Sequence, residues 1–196
     1  MKRIALFISV LVILSLSVTF FYHKTQKSDI NYYSGRRYFE KGAYGKAVFF
    51  YENALAADPG RIDALVDLAY ICQWTGDTKR AIGLLQKALA IREDDSLKTA
   101  LARSYAWEGE YKQAINIYNE LDRAADSPGI KKELAQVYIW NRQFDKARDI
   151  LTQLTEEYPA DREVKLLLAK ALQYSGNPRE AAGIYEGLLK EREEGE

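Results

Sequence analysis

Residues 102–121 read ARSYAWEGEYKQAINIYNEL and combine small, aromatic and glycine residues at spacings typical of paired helices. A small residue, Ala102, is followed by an aromatic residue, a glycine at position 109 and a second small residue, Ala114. Apolar residues then come three, four and seven positions after Ala114, which places them on one face of an α-helix. Gly109 supplies a permissive backbone between two helical segments. The stretch therefore predicts a helical hairpin whose two helices approach closely at the small residues.

The same pattern recurs along the chain. Its second alanine returns at intervals of 34, 33, 33 and 34 residues, at Ala47, Ala81, Ala114, Ala147 and Ala181. The small residue of the preceding helix returns in the same register, at Gly35, Ala69, Ala102, Ala135 and Ala169. The turn glycine returns at Gly42, Gly76, Gly109 and Gly176, and only the fourth unit departs, with Arg142. A fixed period of this length is typical of stacked repeat proteins.

These residues resemble the tetratricopeptide repeat (TPR) family, whose pattern runs from a small residue through an aromatic, a Gly turn and an Ala to a closing Pro. Asp58-Pro59 and Tyr158-Pro159 match the closing position, whereas Glu93 and Asp126 stand there in the second and third units. The resemblance implies an all-α, right-handed solenoid. We expect five helical hairpins over residues 28–195, with boundaries at 28–61, 62–94, 95–127, 128–161 and 162–195.

The first 27 residues have a different character. Nineteen uncharged residues run from Ile4 to Tyr22, which is about 28 Å of helix and just spans a hydrocarbon core. The small-residue cleavage site of a signal peptide is weak here, at Ser15-Leu16-Ser17. The pattern favours an uncleaved membrane anchor over a cleaved signal, followed by a short linker. The positive-inside preference points mildly to a cytoplasmic N-terminus, so we expect the repeat body to be extracytoplasmic, in the periplasm.

Composition excludes several function classes. Lys2, Arg3, Lys24 and Lys27 precede the first acidic residue, which leaves 24 basic and 28 acidic residues from position 28 onward. A body with an acidic excess is a poor match for nucleic acid. The single cysteine and single histidine cannot build a thiolate metal site, and no metal-ligand cluster, nucleophile–base pair or phosphate-binding glycine loop is present. We therefore predict no catalytic residues, no cofactor and no metal.

Candidate binding residues lie on one face of the first helix of each hairpin. A helical wheel sets this face apart from the positions that meet the partner helix, so we expect it to line an inner groove. All three tryptophans occupy one repeat position on it, and a tyrosine follows; these end aromatics are Trp74, Trp107, Trp140 and Tyr174. The polar and aromatic neighbours that complete the candidate site are Tyr70, Arg103, Gln136 and Lys170.

Two interpretations of the end aromatics stay open. If the end aromatics are exposed, their flat amphipathic rings would give a binding surface for an extended peptide or a sugar. Buried, each indole would pack on the first helix of the next repeat as part of the core. For Cys72, which occupies a tyrosine position inside a hairpin, a buried apolar role is favoured over a reactive thiol.

The function that the resemblance implies is protein–protein interaction. We expect a membrane-anchored scaffold that assembles an envelope complex through one or more protein partners. The run from Ser104 to Tyr111, echoed by Val137 to Trp140, is also similar to repeats of bacterial exopolysaccharide export and envelope-assembly proteins. That similarity supports an alternative in which the end aromatics bind a polysaccharide during its synthesis or export.

Overall fold

The computed structural model describes the backbone of residues 2–193 and the side chains of residues 11–193. This part of the chain contains ten α-helices and no strand. They divide between two compact units, Met1–Glu93 and Asp94–Glu196. Unit 1 contains α1 (Lys2–Glu40), α2 (Tyr44–Ala57), α3 (Ile62–Trp74) and α4 (Thr78–Ile91). Unit 2 contains α5 (Asp95–Glu108), α6 (Tyr111–Ala125), α7 (Pro128–Trp140), α8 (Phe144–Glu157), α9 (Arg162–Tyr174) and α10 (Pro178–Glu193).

The helices pair in chain order, α1 with α2, α3 with α4 and so on to α9 with α10. These pairs are five successive hairpins, which agrees with the repeat count expected from the sequence. Inside each unit, the second helix of a hairpin also contacts the first helix of the hairpin that follows. Each unit is therefore a stack of antiparallel helix pairs, the arrangement in which a repeat buries the apolar face that it cannot bury alone.

Helix α1 is continuous across the predicted boundary between the anchor and the first repeat. Every side chain from residue 11 to residue 27 is exposed, and burial begins at Ser28. The Ser28 hydroxyl donates to the carbonyl oxygen of Ala54 in α2, at 3.1 Å. Only the C-terminal third of α1 therefore belongs to the first hairpin, and no separate linker interrupts the helix before it.

The membrane anchor expected over residues 4–22 is not found in the searched part of the structure. Within residues 11–193, no helix carries a stretch that is both long and apolar enough to cross a membrane. Positions 4–10 of the expected span lie outside the residues whose side chains are described.

The small residues of the repeat pattern mark the closest helix contacts. The small residue of the first helix is buried in all five hairpins, and so is the alanine of the second helix. The first hairpin is the tightest: a Cβ added at Gly35 would lie 2.7 Å from Cδ1 of Tyr51, a fully buried ring in α2. Only glycine fits there, whereas the later hairpins accept alanine.

The turns between paired helices share one backbone conformation. Gly42, Gly76, Gly109 and Gly176 have φ values of 70°, 83°, 84° and 89°, in the left-handed region. Arg142 occupies the same place in the fourth hairpin with φ 58°. The departure of the fourth repeat from the glycine pattern therefore changes the residue but not the turn, and the arginine adopts a conformation that costs little only for glycine.

Unit 2 has a continuous core that runs from Ala102 to Ala181 and is built mainly of alanine and leucine. Tyr118, Leu151 and Leu154 are among its fully buried side chains. At its C-terminal end, the polar sequence of α10 covers the apolar surface incompletely, because Leu166 and Leu189 remain exposed beside a cavity of about 420 Å³.

A candidate binding site at the hairpin ends

The end aromatics are exposed. Trp74, Trp107, Trp140 and Tyr174 show 64%, 49%, 43% and 61% of their surface, and Tyr70 shows 41%. The four end aromatics lie at the C-terminal end of α3, α5, α7 and α9, or one residue before it. None of the three indoles belongs to the buried core, so the interpretation that they are core residues is wrong. Within unit 2, no contact between rings joins Trp107, Trp140 and Tyr174 in the described residues.

In unit 1, Trp74 is held by two aromatic residues of the preceding hairpin. Its ring stacks on Phe39 with centroids 5.8 Å apart and planes 21° apart, and it meets Tyr44 edge-on, also at 5.8 Å. Phe39 lies near the end of α1, and Tyr44 begins α2. The three rings fix one another's orientation and leave most of the indole open to solvent, so unit 1 presents a rigid aromatic surface.

In unit 2, Tyr174 has an equivalent support. Its ring stacks on Phe144, the first residue of α8, with centroids 5.2 Å apart and planes 25° apart. The two rings line an open cavity of about 370 Å³ together with Ser175 and the four residues around Phe144. Those four are Arg142, Gln143, Asp145 and Lys146.

The two aromatic pairs occupy matching positions in the first and fourth hairpins. Each pairs a ring at the start of the second helix, Tyr44 or Phe144, with the end aromatic of the next hairpin. Lys46 and Lys146 follow these rings by two residues. The Nζ atom of each lysine lies 5.4 Å from the centroid of a tyrosine ring, and the two tyrosines occupy the same repeat position. We name these arrangements the first and fourth aromatic seats.

The repeat pattern of the first helices does not predict the supporting rings Tyr44 and Phe144. The signal for them is an aromatic residue three positions before the repeated alanine, at Tyr44, Tyr111 and Phe144. That position lies at the start of the second helix, next to the turn, and at Tyr44 and Phe144 it brings the ring into contact with the end aromatic of the following hairpin. A helical wheel drawn for the first helices alone cannot reveal it.

The remaining predicted site residues have different surroundings. Arg103 donates to Glu133 in an ion pair of 2.7 Å, so its guanidinium is engaged within unit 2. The hydroxyl of the buried Tyr118 approaches the other oxygen of Glu133 at 3.4 Å. Gln136 is half-buried in α7, and Lys170 is exposed in α9, one turn before Tyr174. Lys170 and Tyr174 therefore share a helix face.

A similar polar contact lies in unit 1. The Tyr51 hydroxyl donates to Oδ2 of Asp67 at 3.0 Å. Burial raises the pKa of Tyr51 far above its ordinary range, and the neighbouring Asp67 carboxylate raises it further. Burial also raises the pKa of the Asp67 carboxyl, while its hydrogen bonds with Tyr51 and Tyr32 oppose that shift. Tyr51 therefore remains a hydrogen-bond donor throughout the physiological range.

The environment of Cys72 determines how its thiol behaves. Cys72 is buried, and burial raises the pKa of its thiol, so it behaves as a small apolar side chain. Among the described residues, no group of three or more His, Cys, Asp or Glu side chains could hold a metal ion. What the site does provide is exposed aromatic surface on a rigid helical frame, which is suited to binding.

Fold and site together define a helical repeat protein with exposed aromatic residues at the ends of its hairpins. The tetratricopeptide repeat family model matches residues 38–104 and 107–171. The chain belongs to this family.

Solved structures have the same fold. A MamA protein is 20% identical with a TM-score of 0.74, covering 86% of this chain and 93% of its own. The segment of MamA from residue 41 onward, from Desulfovibrio magneticus, is 16% identical with a TM-score of 0.76, covering 85% and 96%. A tetratricopeptide repeat protein from Parabacteroides merdae is 18% identical with a TM-score of 0.74, covering 83% and 64%. No curated protein sequence matches the chain.

Proposed function

We propose that this protein is a scaffold that binds a protein partner through the aromatic surface at its hairpin ends. Tetratricopeptide repeat proteins generally bind protein partners and are generally not enzymes. The observation that carries the proposal is the exposure of four end aromatics at one repeat position, next to alanines and leucines that are fully buried. Tryptophan and tyrosine in such positions supply large contact areas at little entropic cost.

The scaffold proposal is tested by chemical crosslinking of the full chain in its native membrane preparation, followed by purification and identification of both proteins and glycans. A stoichiometric protein partner that is lost from the Trp107→Ala and Trp140→Ala variants supports the proposal. Phe49→Ala is a matched control, because Phe49 is an exposed aromatic residue at a different repeat position. Recovery of the chain without any stoichiometric protein would contradict the proposal.

A second candidate is binding of a polysaccharide. Its support is the first aromatic seat, where Trp74 is immobilised by Phe39 and Tyr44 yet mostly open, an arrangement on which the apolar face of a sugar ring can lie. Glycan that co-purifies with the chain and is lost on Trp74→Ala would favour this candidate. Unchanged glycan affinity in that variant would count against it.

Attachment to a membrane and a role in an envelope complex are further parts of the proposal. They are supported by the nineteen uncharged residues from Ile4 to Tyr22 and by the exposure of every described side chain in that span. We expect the chain to stay in the membrane fraction after an alkaline wash and its repeat body to be accessible from the periplasmic side. Release by the wash would contradict the anchor, and protection from periplasmic protease would contradict the orientation.

A further inference from the structure

We propose that the fourth aromatic seat binds an acidic segment of the protein partner, with an aromatic side chain against Phe144 and Tyr174 and carboxylates against Arg142, Lys146 and Lys170. This inference rests on the proposed scaffold function and specifies its ligand. It concerns unit 2 alone, and two of its three cations, Arg142 and Lys170, have no counterpart in the first seat, where Gly42 and Tyr70 stand instead.

The apolar half of the seat is already assembled. Phe144 and Tyr174 stack at 5.2 Å, and the outer side of Tyr174 is largely exposed over the open cavity of about 370 Å³. A cavity of this size accepts one or two side chains and not a folded domain. The stacked pair loses little freedom when a third ring or an aliphatic chain packs on it, so the seat is preorganised for an extended segment.

The polar half of the seat is cationic. Arg142 and Lys146 line the cavity and are exposed, and Lys170 shares a helix face with Tyr174. The one carboxylate in the lining, Asp145, accepts from Arg148 at 2.9 Å, and Arg148 also contacts Asp149 at 3.0 Å. Although the body as a whole has an acidic excess, this local cluster of positive charge favours an acidic ligand at the cavity.

The backbone at Arg142 supplies an independent indication. Four hairpins place glycine in this left-handed turn, and the first seat has Gly42 there. Arg142 adopts the same strained conformation, although its exposed side chain lines an open cavity and not the core. Strain of this kind is tolerated where the side chain is used, and here the turn points to a cation needed at the cavity.

The test is fluorescence anisotropy of the full chain in mild detergent with a labelled peptide of sequence Glu-Asp-Glu-Phe-Glu-Asp-Glu. We expect salt-sensitive binding that weakens about fivefold in Arg142→Gly and by a similar factor in Tyr174→Ala. Arg142→Gly should at the same time raise the melting temperature, because glycine relieves the strained turn. A loss of binding in a more stable protein cannot be attributed to unfolding.

Matched variants and ligands complete the test. Arg142→Lys keeps the charge and should keep the affinity, while Lys112→Ala removes an exposed charge elsewhere in unit 2 and should change nothing. The neutral peptide Gln-Asn-Gln-Phe-Gln-Asn-Gln should bind about fivefold more weakly. Equal affinity of the original chain and Arg142→Gly for the acidic peptide would overturn the proposal.

Two further outcomes separate this proposal from the one on which it rests. Binding of polygalacturonate that depends on Arg142, without binding of the acidic peptide, would overturn the peptide ligand in favour of an acidic glycan. A stoichiometric partner that crosslinks equally well to Arg142→Gly and Tyr174→Ala would overturn the fourth seat as its contact and leave the scaffold function intact. Absence of any partner would instead remove the scaffold function.

Discussion

The environment of the Asp67 carboxylate opposes its charge. Asp67 accepts a hydrogen bond from the buried Tyr51, and burial raises the pKa of its carboxyl above the ordinary value of 3.8. An acid with a raised pKa in the folded state contributes most to stability below its unfolded pKa. That contribution is lost as the pH rises from about 3.8 through the folded pKa, because the native state then has to ionise a partly buried carboxyl.

We therefore expect Asp67→Asn to flatten part of the pH dependence of stability. The asparagine oxygen can still accept from Tyr51, but it never ionises. Relative to this variant, the original chain should lose free energy of unfolding between pH 4 and pH 7, measured by urea unfolding at each pH. A difference between the two proteins that stays constant over this range would show that Asp67 titrates in the native state as it does in the unfolded chain.

Gly35 gives a second prediction for a single residue. A Cβ at this position would lie 2.7 Å from the ring of the fully buried Tyr51, so Gly35→Ala should destabilise the protein by about 1–3 kcal/mol despite the better helix propensity of alanine. Gly183→Ala is the control: Gly183 lies inside α10 with no atom near an added Cβ, and alanine there should stabilise by about 0.5–1 kcal/mol. Thermal unfolding of both variants compares the two effects, and a stabilised Gly35→Ala would contradict the close contact.

Helix starts differ in how well they are capped. At the start of α9 the Asp161 carboxylate accepts from the backbone N–H groups of Glu163 and Val164, at 2.9 and 3.1 Å. At the start of α6 the N-cap residue Glu110 makes no such bond. We expect Asp161→Ala to cost about 1 kcal/mol in chemical unfolding. Glu110→Ala should leave stability almost unchanged, and equal losses in the two variants would show that the cap is not the cause.

Helices and their pairing were largely predictable, and the turn residues show why. Ala102, Gly109 and Ala114 define a small–turn–small pattern whose period repeats, and every one of those positions has the role expected of it. The pairing of Phe144 with Tyr174 could not be predicted, because it joins residues of two different hairpins whose relative position depends on packing. The backbone of Arg142 was also hidden, since arginine gives no local signal for a left-handed conformation.

The division into two units leads to a prediction about the whole molecule. The core cluster from Ala102 to Ala181 lies entirely within unit 2, and Asp94, the first residue of that unit, caps α5 through Ser96 and Leu97. We expect the fragment 94–196 to be helical by circular dichroism and to unfold cooperatively on heating. A gradual, non-cooperative loss of helical signal would mean that unit 2 needs the N-terminal hairpins in order to fold.

The uninterrupted course of α1 has a mechanical consequence. A helix of 39 residues is a rod about 58 Å long, and its last third is clamped to α2 from Ser28 onward. With the segment 4–22 held in a bilayer, the absence of a hinge would make the first hairpin follow every tilt and every rotation of that segment about its own axis. If that segment is anchored as proposed, the continuous helix would also fix which side of the first hairpin faces the lipid, and it would transmit torque in both directions.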